Sequence, residues 1–304
     1  MMQGVFGTLI PLERAVALHH PAGFAAPILS AVATILILAN GPVAVAMAIY
    51  DVSAALFVCM SAYVLWLQRT AFNGVLLLGA LSLLVAAGLL LAGDGETMRP
   101  LPWWLSFIVL TVAGERLELS RIMGHGQAVV QAFFGAAGFL VAGAALGLDA
   151  AGGAVCFSAG LALLAAWFSR YDIALRTIRM QSQAQFMGAA ILCGHFWLGI
   201  AGLLALGYPS GVTALDALIH AIAIGFALSM VMGHALVILP SVAGIRISYG
   251  KRLYLPLALL QMAVAWRVLA DAFLIDLRWP SGPLVLLALA GFAVMVARRP
   301  RPLR

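Results

Sequence analysis

Charge is what this chain has least of: 9% of its 304 residues are Asp, Glu, Lys or Arg, against 64% that are hydrophobic. A soluble globular domain carries about 25% charged residues, so a soluble class is excluded. Lysine is almost missing, with Lys251 alone beside 16 arginines. Most of these cations stand in short connections between apolar blocks, a pattern of membrane topology rather than of a phosphate track, and no nucleic-acid partner is expected. Cysteine is also scarce. Cys59, Cys156 and Cys193 stand singly, without CxxC or CxxCH spacing, which excludes a disulfide framework and a covalently attached haem. A cleavable signal peptide is not evident either, because Glu13, Arg14, His19 and His20 precede an apolar run that lacks a small-residue cleavage site.

What is present is apolar sequence in blocks long enough to span a hydrocarbon core, which takes about 20 helical residues. Candidate spans run over 22–39, 43–67, 73–93, 102–119, 127–148, 151–169, 186–207, 213–240, 253–273 and 281–297. The first two meet at Asn40-Gly41-Pro42, a tight turn signal. The expected fold class is therefore all-α, a polytopic transmembrane helical bundle of about ten spans, and residues 1–304 form a single integral membrane domain. Basic residues fall in alternate connections: Arg14, Arg69, Arg121, the Arg170/Arg176/Arg179 group, Arg246/Lys251/Arg252 and the tail Arg298, Arg299, Arg301 and Arg304 on one side, only Arg99 and Arg278 on the other. An excess of cations marks the cytoplasmic side. Both termini are expected in the cytoplasm, in a bacterial-type inner membrane. The longest connection, 170–185, reads as a basic amphipathic extension at the cytoplasmic interface. No internal repeat points to an inverted-repeat transporter.

Ionisable groups inside a span cost several kcal/mol unless paired or hydrated, so each becomes a functional candidate. His220 and His234 share the eighth span, 14 residues apart. At about 100° per residue they stand about 40° from a shared direction and about 21 Å apart along the axis. Ala223, Ala227 and Val231 lie along the same face and leave room for a flat group, whereas Phe226 points elsewhere. The spacing resembles that by which cytochrome b-type helices carry two haems, imidazole being a common axial ligand. Hydrogen bonding to neighbouring helices remains the plain alternative.

His195, in the seventh span, lies about 13 Å above the inner boundary and His234 about 9 Å above it, so the two can pair around one haem or one copper ion. Met230, one turn before His234, is a candidate soft ligand, although it and Met232 also suit ordinary core filling. His220 has no histidine at its level. Asp51, with Tyr50 beside it, reaches a similar depth and can orient it, or is itself satisfied by Ser or Thr. Glu115 and Glu118 stand three residues apart near Arg116, Arg121 and His125, as an interfacial ion-pair network or a proton-entry or metal-loading point. His19 and His20 suit the same interface, as surface residues or a labile metal site. Arg267 and Asp271, at i and i+4, can pair within their helix, and Arg267 can instead meet a haem propionate.

The stretch IHAIAIGFALSMVMGHALVILPSVAGIRISYG resembles the late helices of NnrS-like membrane proteins. The likeness runs from His220 to about Asp271, with His195 and GERLELSR as weaker points, and the chain has fewer spans than that family. The resemblance implies haem b, copper, and a role in the nitric oxide response or respiration, with His220 and His234 as the carried-over positions. Three functions stand open: a haem or haem/copper redox or nitric-oxide-response protein; a proton- or metal-ion-coupled transporter using Asp51, Glu115, His220 and His234; and a non-catalytic subunit or assembly partner of a respiratory complex. The expected surroundings are the lipid bilayer, with a homo-oligomer or a respiratory-complex partner. Whether the chain is an enzyme is left open.

Overall fold

The computed structural model describes residues 2–18, 20–93, 98–207, 212–243, 249–273 and 276–297. Arg246, the tail arginines 298–304 and His19 lie outside them. Among the described residues every regular element is a helix. Among the described residues eight helical stretches are long and apolar enough to cross a membrane: 21–38, 43–67, 71–92, 127–146, 151–171, 183–206, 213–240 and 251–272.

The helices group into two compact units, Met1–Glu118 and Leu119–Arg304. The first holds α1 (Met2–Leu18), α2 (Ala25–Leu38), α3 (Val43–Leu67), α4 (Ala71–Ala92) and α5 (Pro100–Ser120, which runs just past the boundary). Helix α1 is a departure from the sequence reading, which placed no element before residue 22. Pro11 and the Glu13-Arg14 pair interrupt its apolar pattern, yet the helix forms and lies against α2. It is tied down by side chains: Thr8 donates to Ser30 Oγ at 2.9 Å, and Trp104 of α5 donates its indole N–H to Gln3 Oε1 at 2.6 Å. Asn40 ends α2 in a left-handed conformation, φ 56°. Gly41 N–H donates to Leu36 C=O at 2.8 Å and Asn40 N–H to Ile37 C=O at 3.0 Å, the Schellman pattern that satisfies the last carbonyls before Pro42 restarts the chain. The expected turn is thus present, with its mechanism.

The second unit holds α6 (Gln127–Leu146), α7 (Ala151–Tyr171), the single-turn α8 (Ala174–Thr177), α9 (Gln183–Leu206), α10 (Val212–His220), α11 (Ser229–Ala243), α12 (Tyr254–Ala272) and α13 (Ser281–Ala297). Small residues let these helices approach closely, as in membranes generally. A Cβ built on Gly143 would lie 2.7 Å from Phe157 Cβ, and one on Gly160 2.6 Å from Leu140 Cα, so α6 and α7 meet almost backbone to backbone. Ser158 of α7 donates to Gly202 C=O of α9 at 2.5 Å. Helix α13, at 17 residues, is shorter than a full span, and α5 carries Glu115, Arg116 and Glu118 within its apolar length.

Between α10 and α11 the backbone changes pitch. Residues Ala221–Leu228 form a π-helical segment, bonded i to i+5, so the eighth span is α, then π, then α again. Gly225 lies at its centre because Trp197 of α9 presses there: a Cβ would fall 2.8 Å from Trp197 Cβ and 2.9 Å from Cδ2. The Trp197 indole donates to Gln261 Oε1 of α12 at 2.7 Å, and Gln261 Nε2 donates to Ser229 Oγ at 2.9 Å. This buried chain joins α9, α12 and the start of α11 where the π turn closes.

Candidate functional site

His220 is the last residue of α10 and His234 lies in α11, so the π segment separates them. A π ladder takes about one more residue per turn than an α-helix, so the shared direction computed for a uniform α-helix does not carry over. The small stripe also differs from expectation. Ala223 and Ala227 are buried in protein contacts and Val231 is half exposed, which leaves no open slot along that line. Phe226 is fully buried.

The two rings are held in the same way. His220 Nδ1 lies 2.8 Å from Asp216 C=O and His234 Nδ1 2.8 Å from Met230 C=O, each four residues back. A carbonyl oxygen can only accept, so each imidazole carries its proton on Nδ1 and its lone pair on Nε2, turned away from its own helix. A metal-ligating histidine characteristically shows this arrangement, its second nitrogen donating to a carbonyl or carboxylate.

Around His220 a chain of charges spans three segments. Asp216 Oδ1 is 3.6 Å from His220 Nδ1, and Asp216 Oδ2 receives Arg267 Nε at 2.6 Å and NH2 at 2.5 Å. Arg267 Nε is also 3.5 Å from Asp271 Oδ2, and Arg278 Nε is 2.8 Å from Asp271 Oδ1. The i, i+4 pair expected from sequence is therefore present, but the shorter contacts of Arg267 are to Asp216, a residue the sequence reading did not single out. With its guanidinium engaged on two carboxylates, Arg267 is not placed to receive a propionate without breaking them.

His195 is almost fully buried and is turned toward α7. Its ring stacks on Phe168 at 4.9 Å and 13°, and its Nε2 lies 3.8 Å from Asp172 Oδ2. Asp172 Oδ1 accepts from Ala174 N at 2.6 Å, which starts α8 inside the expected 170–185 extension. Other residues of α9 meet the π segment and α11: a Cβ on Gly194 would lie 3.0 Å from the Met230 methyl, and one on Gly233 3.3 Å from Ala190 Cβ. The structure brings His195 to Asp172, a neighbour that depth could not identify, because equal depth says nothing about which way a side chain faces. Met230 is buried against α9, in the core-filling role.

In the first unit, Asp51 points toward Gly88 of α4, and the Tyr50 hydroxyl pairs with Thr34 Oγ1 at 2.9 Å. Glu115 pairs with Arg14 of α1 at 3.6 Å, Arg116 is buried, and Glu118 is exposed. Burial pushes the Glu13 carboxyl above its usual range, and neighbouring Arg14 partly offsets this. His20 Nδ1 accepts from Ala22 N at 3.3 Å and caps the short helix Pro21–Phe24. In the second unit, His125 Nε2 donates to Tyr171 C=O at 2.9 Å. Among the described residues no three His, Cys, Asp or Glu side chains gather closely enough to hold a metal ion.

No curated protein and no solved structure matches this chain. One family model matches residues 1–300, and by that match the chain belongs to the family described as "Domain of unknown function (DUF8744)".

Proposed function

We propose that this is a multi-pass membrane protein that binds haem b and works as a redox or nitric-oxide-response protein, with His220 and His234 as the axial-ligand positions. One observation carries the reading: both imidazoles donate Nδ1–H to the carbonyl four residues back at 2.8 Å, which fixes the tautomer that presents an Nε2 lone pair. The donor atoms fit the group. The packing of Ala223 and Ala227 means that each ring would be approached from its own outward side rather than along the helix between them. The π segment supports the reading as well, since such turns recur at functional sites. When bound, haem supplies one-electron chemistry and an iron centre for small diatomic ligands. This chain's own part is to hold the two rings in a defined tautomer. The resemblance to NnrS-like proteins across His220 to Asp271 points the same way. Copper at His195, His234 and Met230 forms no part of the reading.

The alternation of basic residues supports ten crossings, both termini in the cytoplasm and a bacterial-type inner membrane, with α5 and α13 added to the eight long apolar helices. Expression with adequate haem, purification and a reduced-minus-oxidised spectrum test the cofactor: haem absorbance that falls in His220→Ala and His234→Ala supports it, and its absence from the wild type refutes it.

One observation favours a second reading, proton-coupled transport: the unbroken run His220–Asp216–Arg267–Asp271–Arg278 through α10, α12 and the following connection. Ionisable chains of this kind mark proton paths in membranes. Substrate-dependent proton flux in liposomes, abolished by Asp216→Asn, would support it; flux that persists would count against it.

A further inference from the structure

Asp271 has a need that the haem reading does not use. Its side chain is 1% exposed, and neither carboxylate oxygen has a hydrogen-bond donor aligned on it. Arg267 of α12 and Arg278 of the connection to α13 reach this carboxylate, and Asp216 and His220 of α10 follow beyond Arg267. Arg267 makes its short contacts with Asp216 and stays 3.5 Å from Asp271. Asp216 and Arg267, 26% and 20% exposed, are matched to each other, so fully buried Asp271 keeps only the longer contact with Arg267 and the contact with Arg278. An uncompensated buried charge is strongly unfavourable.

Two cations can meet the charge of the buried Asp271 carboxylate. Arg278 is the first: its side chain is 36% exposed and it reaches Asp271 Oδ1 at 2.8 Å. A proton is the second. We propose that Asp271 is a proton-binding site at which Arg278 is the competing cation, so that protonation releases the connection between α12 and α13. In the deprotonated state Arg278 closes on the carboxylate. When hydronium delivers its proton, an O–H bond forms on Asp271, water departs, and the guanidinium turns to solvent, where its charge is hydrated. This inference does not rest on haem at His220, and it holds for either functional reading.

Infrared difference spectroscopy of the full-length protein in detergent across a pH titration tests it, through the C=O stretch of a protonated carboxyl. The expected result is a band that grows as pH falls and is missing from Asp271→Asn. In Arg278→Gln, whose competing cation is gone, the midpoint of that band moves to higher pH by about one unit or more. Arg278 stands half in solvent, so this variant decides the matter even if Asp271→Asn fails to fold. A midpoint unmoved in Arg278→Gln, or an unchanged band in Asp271→Asn, overturns the proposal.

Discussion

Substituting Gly225 by alanine should destabilise the second unit by about 2–4 kcal/mol, and the figure comes from one contact. The added methyl would fall 2.8 Å from Trp197 Cβ and 2.9 Å from Cδ2. Carbon atoms pack at about 3.5–4.0 Å, so the overlap approaches 1 Å against a ring that is 5% exposed. The ring cannot swing away without stretching its 2.7 Å bond to Gln261, and through Gln261 the 2.9 Å bond to Ser229. Overpacking of this sort costs about 1–3 kcal/mol, and losing one neutral buried hydrogen bond adds about 1 kcal/mol. Gly135→Ala on α6 is the control, because nothing lies within 4 Å of its new methyl. It should be neutral or stabilising by up to about 1 kcal/mol, the ordinary helix preference for alanine. Equilibrium unfolding in detergent followed by circular dichroism compares the two. If Gly225→Ala unfolds within about 0.5 kcal/mol of Gly135→Ala, the close seating of Trp197 on the π segment is wrong.

Asp216→Asn leaves the partly buried Arg267 with a single, longer carboxylate contact, and should cost about 2–4 kcal/mol in the same unfolding assay. Gly143→Leu, whose side chain would run into the Phe157 backbone, should separate α6 from α7 and sharply reduce the yield of folded protein on size-exclusion chromatography. Asp172→Ala removes both the start of α8 and the partner of buried His195, for a loss of about 2–4 kcal/mol. Asp172→Asn, which keeps an acceptor for Ala174 N, should lose less, and equal losses would show that the cap contributes nothing.

Where hydropathy is uniform the sequence was a good guide to the helices: 43–67 and 281–297 match Val43–Leu67 and Ser281–Ala297, and the Asn40-Gly41-Pro42 turn is where its residue chemistry puts it. Helix α1 was missed because Pro11 and Glu13-Arg14 break the apolar pattern that defines a span. The π segment was illegible for the opposite reason. AIAIGFAL is apolar throughout, so no polar residue reports the phase of the helix and a change of pitch leaves no trace in the pattern. Helix direction assigns His195 a depth, yet depth fixes only the axial coordinate. Which neighbour the ring faces depends on the packing of α9 against α7, where Phe168 and Asp172 wait. Asp216 went unremarked because its main partner, Arg267, is 51 residues away, beyond any spacing rule.

The central claim is that His220 and His234 present their Nε2 lone pairs to haem iron. The reduced-minus-oxidised absorption spectrum of the purified, haem-supplied protein measures this most directly. The account predicts b-type absorbance bands in the wild type, diminished in each of His220→Ala and His234→Ala and unchanged in His125→Ala, which lies outside the proposed ligand pair. A wild-type spectrum without haem bands, or bands indifferent to both histidines, would contradict it.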